Sequence, residues 1–599
     1  MTPPSPLAGD TSLVTFTIKV NGAAIKSTYQ VISIDTWNSA NKVPKARFVL
    51  FDGSAAERDF PISDLKTFLP GAKVTIAAGY NGKETVIFAG VIVKQGIEIN
   101  RTEGSKLVIE LTDEAIKMTL ERKNALFEKI KDSDLIGKLI SANGLAKSVA
   151  ATNTVHEAVV QYYASDWDLM LTRAEMNGFV AVTDAGKVAV GAPDTQQAPV
   201  LRVEYGTSIY DLAAEMDAAT QLAPAAIKST TWDVATQKLI ESGPGSVSVK
   251  EQGDVTSAEL AKVFNVKKFN QQTGGPIEKS ALQDWSSAEL LKSKLSKIRG
   301  IVCFQGSAKA QTGKTIQLAG LGTRFNGTAW ISGVHHSIRN GEWLTTTDFG
   351  LSARWFASEA PDIAAPDASG QLPPVKGLQT GIVKKIAKDP DGEFRALVSL
   401  PLLQDDAKGL WVRLGAFYAS DKAGAVFYPE VNDEVVVGFM NEDPRYGVIL
   451  GSVYSKKLAP PYPPDEQNTK KAIVTKGKLE ITFDDKDKIV EVKTPGKQTV
   501  TLNDKTGEVA IRDKNKNSVV LSKSGIVVES GGNLTLKAKG NVTIDAGANL
   551  AATAKAKASM EGLQIEHKAK GQLVAKANGM AELSSTGILT VKGALVKIN

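Results

Sequence analysis

From residue 531 onward, glycine recurs at an eight-residue spacing. The stretch 531–547 reads GGNLTLKAKGNVTIDAG, with Gly532 and Gly540 each followed by Asn, an apolar residue, Thr and an apolar residue. Ala548 falls in phase, and the period returns, shifted by one, at Gly571, Gly579 and Gly587. Between these points apolar and polar residues alternate, as at Leu534/Leu536, Val542/Ile544, Leu563/Ile565, Leu573/Ala575 and Leu589/Val591. Such alternation marks a strand with one face to bury. No aromatic follows Phe483 and no proline follows Pro495. One strand of this kind exposes two edges and an apolar face, so it cannot stand alone. Stacked copies bury that face, but Leu, Ala and Val fill only a thin core. That suits a narrow prism with glycine at its corners. Eight residues is short for a full turn of a single-chain β-helix. The pattern therefore favours three chains wound about one axis, each giving one face per turn.

Upstream, two proline-rich breaks divide the 599 residues: SEAPDIAAPDASGQLPP from Ser358 to Pro374, and KLAPPYPPDEQ from Lys457 to Gln467. Proline at that density resists helix and central strand. The first region, 1–357, contains an internal repeat between 73–115 and 314–353. Gly90-Val91 matches Gly333-Val334, and Thr112-Asp113 matches Thr347-Asp348. Asn81-Gly82 and Asn326-Gly327 predict hairpin turns, because such turns need positive φ. The expectation is two related β-barrels, about 10–115 and 300–355, with a partly helical insertion. Helices are predicted over 166–178, with Ser165 or Asp166 as N-cap and Gly178 as the stop, over 258–265, and over 286–300 with Leu290, Leu291, Leu295 and Ile298 on one stripe. The region 375–456 reads as five short strands, enough for a small OB-type barrel. The region 468–599 continues as short strands into the octads.

The net charge of +6, from 71 Lys plus Arg against 65 Asp plus Glu, is too mild over this length to imply nucleic-acid binding. Cys303 is the only cysteine, so neither an intramolecular disulfide nor a cysteine-cluster zinc site can form. No signal peptide is visible in MTPPSPLAGDTSLV, and no apolar run is long enough to span a membrane. Synthesis and folding in the cytoplasm are expected.

Several stretches together resemble a known family along nearly the whole chain. PEVNDEVVVGF and NEDPRYGVILGSVYS, within 429–455, resemble the OB domain of VgrG-type spike proteins. The closing octads, ending GALVKIN, resemble that family's β-helical needle. VPKARFVLFDG, PGAKVTIAAGY, IFAGVI and SDWDLMLTRAEMNG are similar to its hub, the counterpart of the tail-hub protein of contractile phages. The resemblance implies a mainly β chain with some α: tandem β-barrel hub domains, an OB-fold barrel and a C-terminal intertwined triple-stranded β-helix needle, as a homotrimer. It implies a structural, non-enzymatic role in a contractile injection system, with no cofactor. The spike would adapt three-fold symmetry to a six-fold inner tube, nucleate the baseplate and puncture a target membrane. The expected partners are a second and third copy, the inner-tube hexamer, baseplate proteins, the target membrane and a PAAR-repeat tip protein over Leu595, Val596, Ile598 and Asn599. No enzyme follows the octads and no lysozyme fits after Lys457. An extracellular, phage-tail-like particle is therefore expected ahead of a type VI secretion or phage spike. The rival readings are a β-helical adhesin and a polysaccharide depolymerase.

Chemical motifs are sparse. AKAQTGKT (Ala308–Thr315) imitates a phosphate loop, but a strand rather than a helix follows, so a hairpin turn is expected. Asp513, Asn515 and Asn517 imitate the start of a calcium loop without its glycine and closing Glu, so Asx turns are expected. His335 and His336 are adjacent on a strand and point to opposite faces. Trp411, Phe417 and Tyr418 suggest a stacking platform, with core and trimer contacts the better reading. His567 shares a strand face with Leu563 and Ile565. If that face meets a three-fold axis, three imidazoles converge and can hold an ion or water; the alternative is a register shift that puts His567 outside, since Ala569 ends the apolar pattern. The needle lysines suit a soluble outer face, and without interleaved aromatics no nucleic acid is expected.

Overall fold

The computed structural model describes residues 3–7, 13–360, 363–403 and 408–598. They fall into two compact units, 1–453 and 454–599.

In the first unit, the two copies of the internal repeat adopt the same plan. Strands Lys73–Tyr80, Lys83–Asn100 and Gly104–Thr112 form one meander, and Thr315–Ala319, Gly327–Arg339 and Glu342–Phe349 form the other. Val91 pairs with Thr112 in the first copy, and Val334 with Thr347 in the second. The glycine before each valine is held close to the neighbouring strand. A Cβ on Gly90 would come within 2.3 Å of the Thr112 carbonyl, and one on Gly333 within 2.4 Å of Asp348 Oδ2. Asn81-Gly82 makes the tight turn expected of it, both residues having positive φ. Asn326-Gly327 does not. Asn326 is extended and follows a helical turn, Gly322–Phe325, that joins the two strands. The tight turn in this copy is Asn340-Gly341.

The two halves expected as related β-barrels are joined in one continuous sheet. Strand Gly327–Arg339 of the second copy pairs with Val31–Ser39, which reaches the first copy through Lys45–Phe51 and Gly104–Thr112, linking thirteen strands. That cross-pairing satisfies backbone edges that closure would otherwise have to satisfy. Two cores remain distinct. One gathers Phe48, Phe68, Ile76 and Leu111, and the other Phe304, Ile316, Ile331 and Phe349.

The intervening segment supplies a third core, including Leu135, Ile140, Met170 and Leu171. Helix Asp166–Met176 is capped by the Ser165 hydroxyl, which accepts from Asp168 N–H. Helix Ser257–Phe264 opens with a Thr256/Glu259 capping box. The third helix runs Lys279–Leu295, earlier than its predicted span, and Ile298 belongs to the next strand instead of the helical stripe. The β-branched run IRGIVCFQ, paired on both sides, outweighs helix propensity there.

Five strands between Gln379 and Ser452 close into a barrel. Its core is Val383, Val398, Val412, Val435, Val437 and Ile449. The Asp389 turn is pinned by Arg395, and this half-buried ion pair holds the Asp389 carboxyl well below its ordinary range.

The second unit begins with seven antiparallel five-residue strands, from Lys470–Val474 to Gly525–Glu529, paired in chain order. Asp513 Oδ1 accepts from Asn515 N–H and Asn517 N–H, the expected Asx turn. From 530 to 598 no strand ladder forms within the chain among the described residues. The backbone instead bends at 531–532, 539–540, 547–548 and 555–556, then at 563, 570–571, 578–579, 586–587 and 594–595.

Candidate assembly surface

The seven-stranded sheet of the second unit has its burial reversed. Strand pairing aligns Ile473, Ile481, Val492, Val500, Ile511, Val519 and Val528 in one row across all seven strands. A second row on the same face continues Phe483, Val490, Leu502, Val509, Leu521 and Ile526. Most of these are left open, Val500 being 39% exposed and Ile511 54%, while Val490 and Val519 are half-buried. The opposite face carries Thr482, Glu491 and Thr501 in register with Ala510, and Ala510 is fully buried. A sheet that exposes most of its apolar rows while its polar rows are half-buried lacks the partner for its apolar face. Ion pairs such as Lys505–Asp487 and Arg512–Glu508 hold the meander together at its turns and rims.

The octads lack partners in the same sense. Extended six-residue segments separated by two-residue bends carry donors and acceptors with no ladder in their own chain. Such groups need pairing, in a sheet with other strands or with water. Leu595, Val596 and Ile598 are exposed at the end of this segment. Asn599 lies outside the described residues. His567 is also exposed in the single chain. Among the described residues, no group of three His, Cys, Asp or Glu side chains converges within one chain.

The first unit contains polar clusters that sequence reading did not identify. Asp132 accepts from Arg173 and Asn177, with His156 Nε2 3.1 Å away. Burial raises its carboxyl, but these hydrogen bonds and the Arg173 charge outweigh burial and hold it well below the ordinary range. Glu175 receives Lys292 and the Phe356 N–H, tying two helices to the segment that leaves the hub. Neither cluster has a motif, because its members lie far apart in sequence. Both bridge elements within the fold.

His335 and His336 do diverge. His335 stacks on Trp37 at 5.0 Å and sits 3.1 Å from Asp35, whereas His336 is buried against Thr345. Burial, with the neighbouring His335 charge, pushes the His336 imidazole down to about 3. Ala308–Thr315 is a turn leading into a strand, so it forms no phosphate cradle. On the barrel, Trp411 is half-buried on a paired strand, whereas Phe417 and Tyr418 are exposed beside the Ala419–Gly424 hairpin.

Residues 10–340 match the family described as the Alg8 N-terminal domain. Residues 379–454 match the type VI secretion system/phage-baseplate injector OB domain, and 488–549 the phage baseplate V C-terminal trimerisation domain. Over 86 residues the chain is 31% identical to the actin cross-linking toxin VgrG1 of Vibrio cholerae. Over 86 residues it is 30% identical to the type VI secretion system spike protein VgrG3 of the same species. Each match spans 14% of this chain and 8% of the relative. Among solved structures, a tail protein from Neisseria meningitidis is similar at 12% identity and a TM-score of 0.41, over 57% of this chain and 98% of that one. The E. coli c3393 protein, a type VI secretion component, is similar at 14% identity and a TM-score of 0.34, over 73% and 99%.

Proposed function

We propose, from the premise that this chain belongs to the Alg8 N-terminal domain family and is a VgrG-type spike of the type VI secretion or phage-baseplate kind, that it works as a homotrimeric hub and needle. The observation that carries this reading is the reversed burial of the 470–529 sheet, whose apolar rows find cover when three copies meet. The trimerisation-domain match over 488–549 supports the same conclusion. Beyond it, the unpaired octads pair between chains and wind into a prism that no single chain can peel away from. A prism of that kind is stiff, because bending it breaks hydrogen bonds to two neighbours at once.

The paired copies in the hub give this assembly its second role. Three chains with two similar meanders present six similar surfaces, which suits docking on a six-fold tube ring. The trimer thereby caps the inner tube, seeds the baseplate and is driven into a target membrane on contraction. Leu595, Val596 and Ile598 form the apolar end that, with Asn599 next in sequence, a PAAR-repeat tip protein covers. The barrel passes into the second unit through the connection 453–469, too short for an inserted enzyme domain, which supports a purely mechanical spike. We place it in a phage-tail-like particle released from the cell.

Native mass spectrometry of the full chain against a chain ending at Pro464 tests the reading. The full chain is expected as a trimer and the truncated chain as a monomer or weak oligomer. A monomeric full chain would overturn the proposal and return the adhesin and depolymerase readings.

A further inference from the structure

The two halves of the hub correspond strand by strand once their irregularities are aligned. Gly71 N–H donates to the Ile92 carbonyl and Gly313 N–H to the Ile331 carbonyl, both glycines having positive φ. The bulge that follows Ile92 recurs after Ile331, and the bulge that follows Val31 recurs after Ile209. Strands Val31–Ser39, Lys45–Phe51, Gly104–Thr112 and Lys83–Asn100 are therefore repeated, in the same sheet order, by Ile209–Met216, Ile298–Gln305, Glu342–Phe349 and Gly327–Arg339. This backbone register is four residues out of step with the Gly90-Val91 sequence match. Within the chain, residues 333–339 pair with 33–39. Their counterparts are 94–100 and 211–217, and among the described residues neither has that partner. Residues 94–100 pair on one side only, with 104–110, and Ile209–Met216 is an edge of the sheet. The side chains carry the same mark. Ile338, with the fully buried Ile34 opposite it, is 4% exposed, whereas its counterpart Ile99 is 74% exposed. His336 is 4% exposed and its counterpart Ile97 52%.

Open edges and exposed apolar side chains at matching places call for another strand. Resting on the trimeric reading above, we infer that residues 94–100 of one chain pair antiparallel with 211–217 of the next, driven by Ile97 and Ile99 and fixed in register by Lys94 and Asp217. Each half of the hub then uses one edge toward its predecessor and another toward its successor, the kind of contact that generates a ring when the rotation closes. The register carried over from the seam inside the chain sets Ile99 opposite Leu212, Ile97 opposite Ala214 and Lys94 opposite Asp217. Leu212 and Ala214 already pack against the second core, so the two isoleucines extend it. Lys94 and Asp217 form an opposite-charge cross-strand pair. Glu98 and Glu215 enter the seam already paired with Arg47 and Arg299. The two kinds of seam differ in chemistry. The one inside the chain is clamped by Asp35, which accepts from Arg339, and by His335 stacked on Trp37. Ala213, Asn100, Gly96 and Glu215 stand in the corresponding places and cannot repeat that clamp. A polar clamp thus fixes the seam within each chain, and apolar burial drives the seam between chains.

The test uses the full chain with Cys303→Ser, which removes the only native thiol. Glu98→Cys with Ala213→Cys places two thiols directly opposite across the seam, at a Cα separation of about 5 Å that a disulfide accepts. Mild oxidation is expected to give covalent dimers and trimers on a non-reducing gel. Glu98→Cys with Asp217→Cys, four residues out of register, should give none. Adding Ile99→Asp to the first pair should abolish its link while native mass spectrometry still shows the needle-held trimer. A trimer that forms no link, links only within single chains, links the out-of-register pair equally or links despite Ile99→Asp overturns the seam and leaves the needle assembly standing. A monomeric full chain overturns both.

Discussion

Val500 lies near the middle of the apolar row that crosses the 470–529 sheet, between Val492 and Ile511. It is 39% exposed in the single chain. Full burial of a valine is worth roughly 2 kcal/mol. Covering the open share should therefore contribute about 0.8 kcal/mol per chain, or about 2.5 kcal/mol per trimer. Val500→Ala removes most of that while leaving each strand's backbone pairing intact. The expected result is a trimer weakened by roughly 60-fold in its dissociation constant. Sedimentation in a guanidinium series would read this as a lower midpoint for loss of the trimer. Thr501→Ala is the control, because Thr501 lies on the opposite, half-buried side of the same strand. It should shift the midpoint far less. If Val500→Ala leaves the midpoint unchanged, or Thr501→Ala lowers it as much, the apolar rows are not the interface.

Two further outcomes follow from the hub. Gly333→Ala would drive a Cβ to within 2.4 Å of Asp348 Oδ2 and 3.0 Å of Ser39 Oγ, at the seam between the second repeat and strand Val31–Ser39. It should cost about 1–3 kcal/mol, read as a lower melting temperature, whereas Gly96→Ala, facing open space, should change little. His336 is held neutral by burial, its folded value about 3 against an ordinary 6.5. The unfolded chain therefore binds the extra proton first as pH falls below 6.5. Hub stability should drop by about 1.4 kcal/mol per pH unit through that window, down toward pH 3. His336→Gln should flatten this slope in urea titrations at pH 5 and 7, and an unchanged slope would assign the acid sensitivity to other groups.

Much of the architecture was readable from local pattern. The Asn81-Gly82 turn, the Ser165 cap and the five-stranded barrel each depend on residues close in sequence, so short-range rules reach them. Asn326-Gly327 carried the same turn signal as Asn81-Gly82 and failed, because a helical turn takes up the connection ahead of it. Ile298 fitted a helical stripe and entered a strand, because two neighbouring strands were available to pair with it. The Asp132 and Glu175 clusters were invisible, since Asp132 and Arg173, or Glu175 and Lys292, become neighbours only through packing.

The sequence by itself determined the octad period, the alternation of apolar and polar residues along it, and the repeat of Gly90-Val91 in Gly333-Val334. All of these are one-dimensional patterns that a strand's fixed alternation converts directly into faces. Only the tertiary structure decided that the two repeats share one sheet, because strand partners are chosen by which edges are left open once each meander has formed. It also decided which face of the 470–529 sheet stays uncovered. Alternation marks two faces but does not say whether a single chain has enough of its own mass to bury the apolar one, and here most of the apolar rows stay exposed while the polar rows are half-buried.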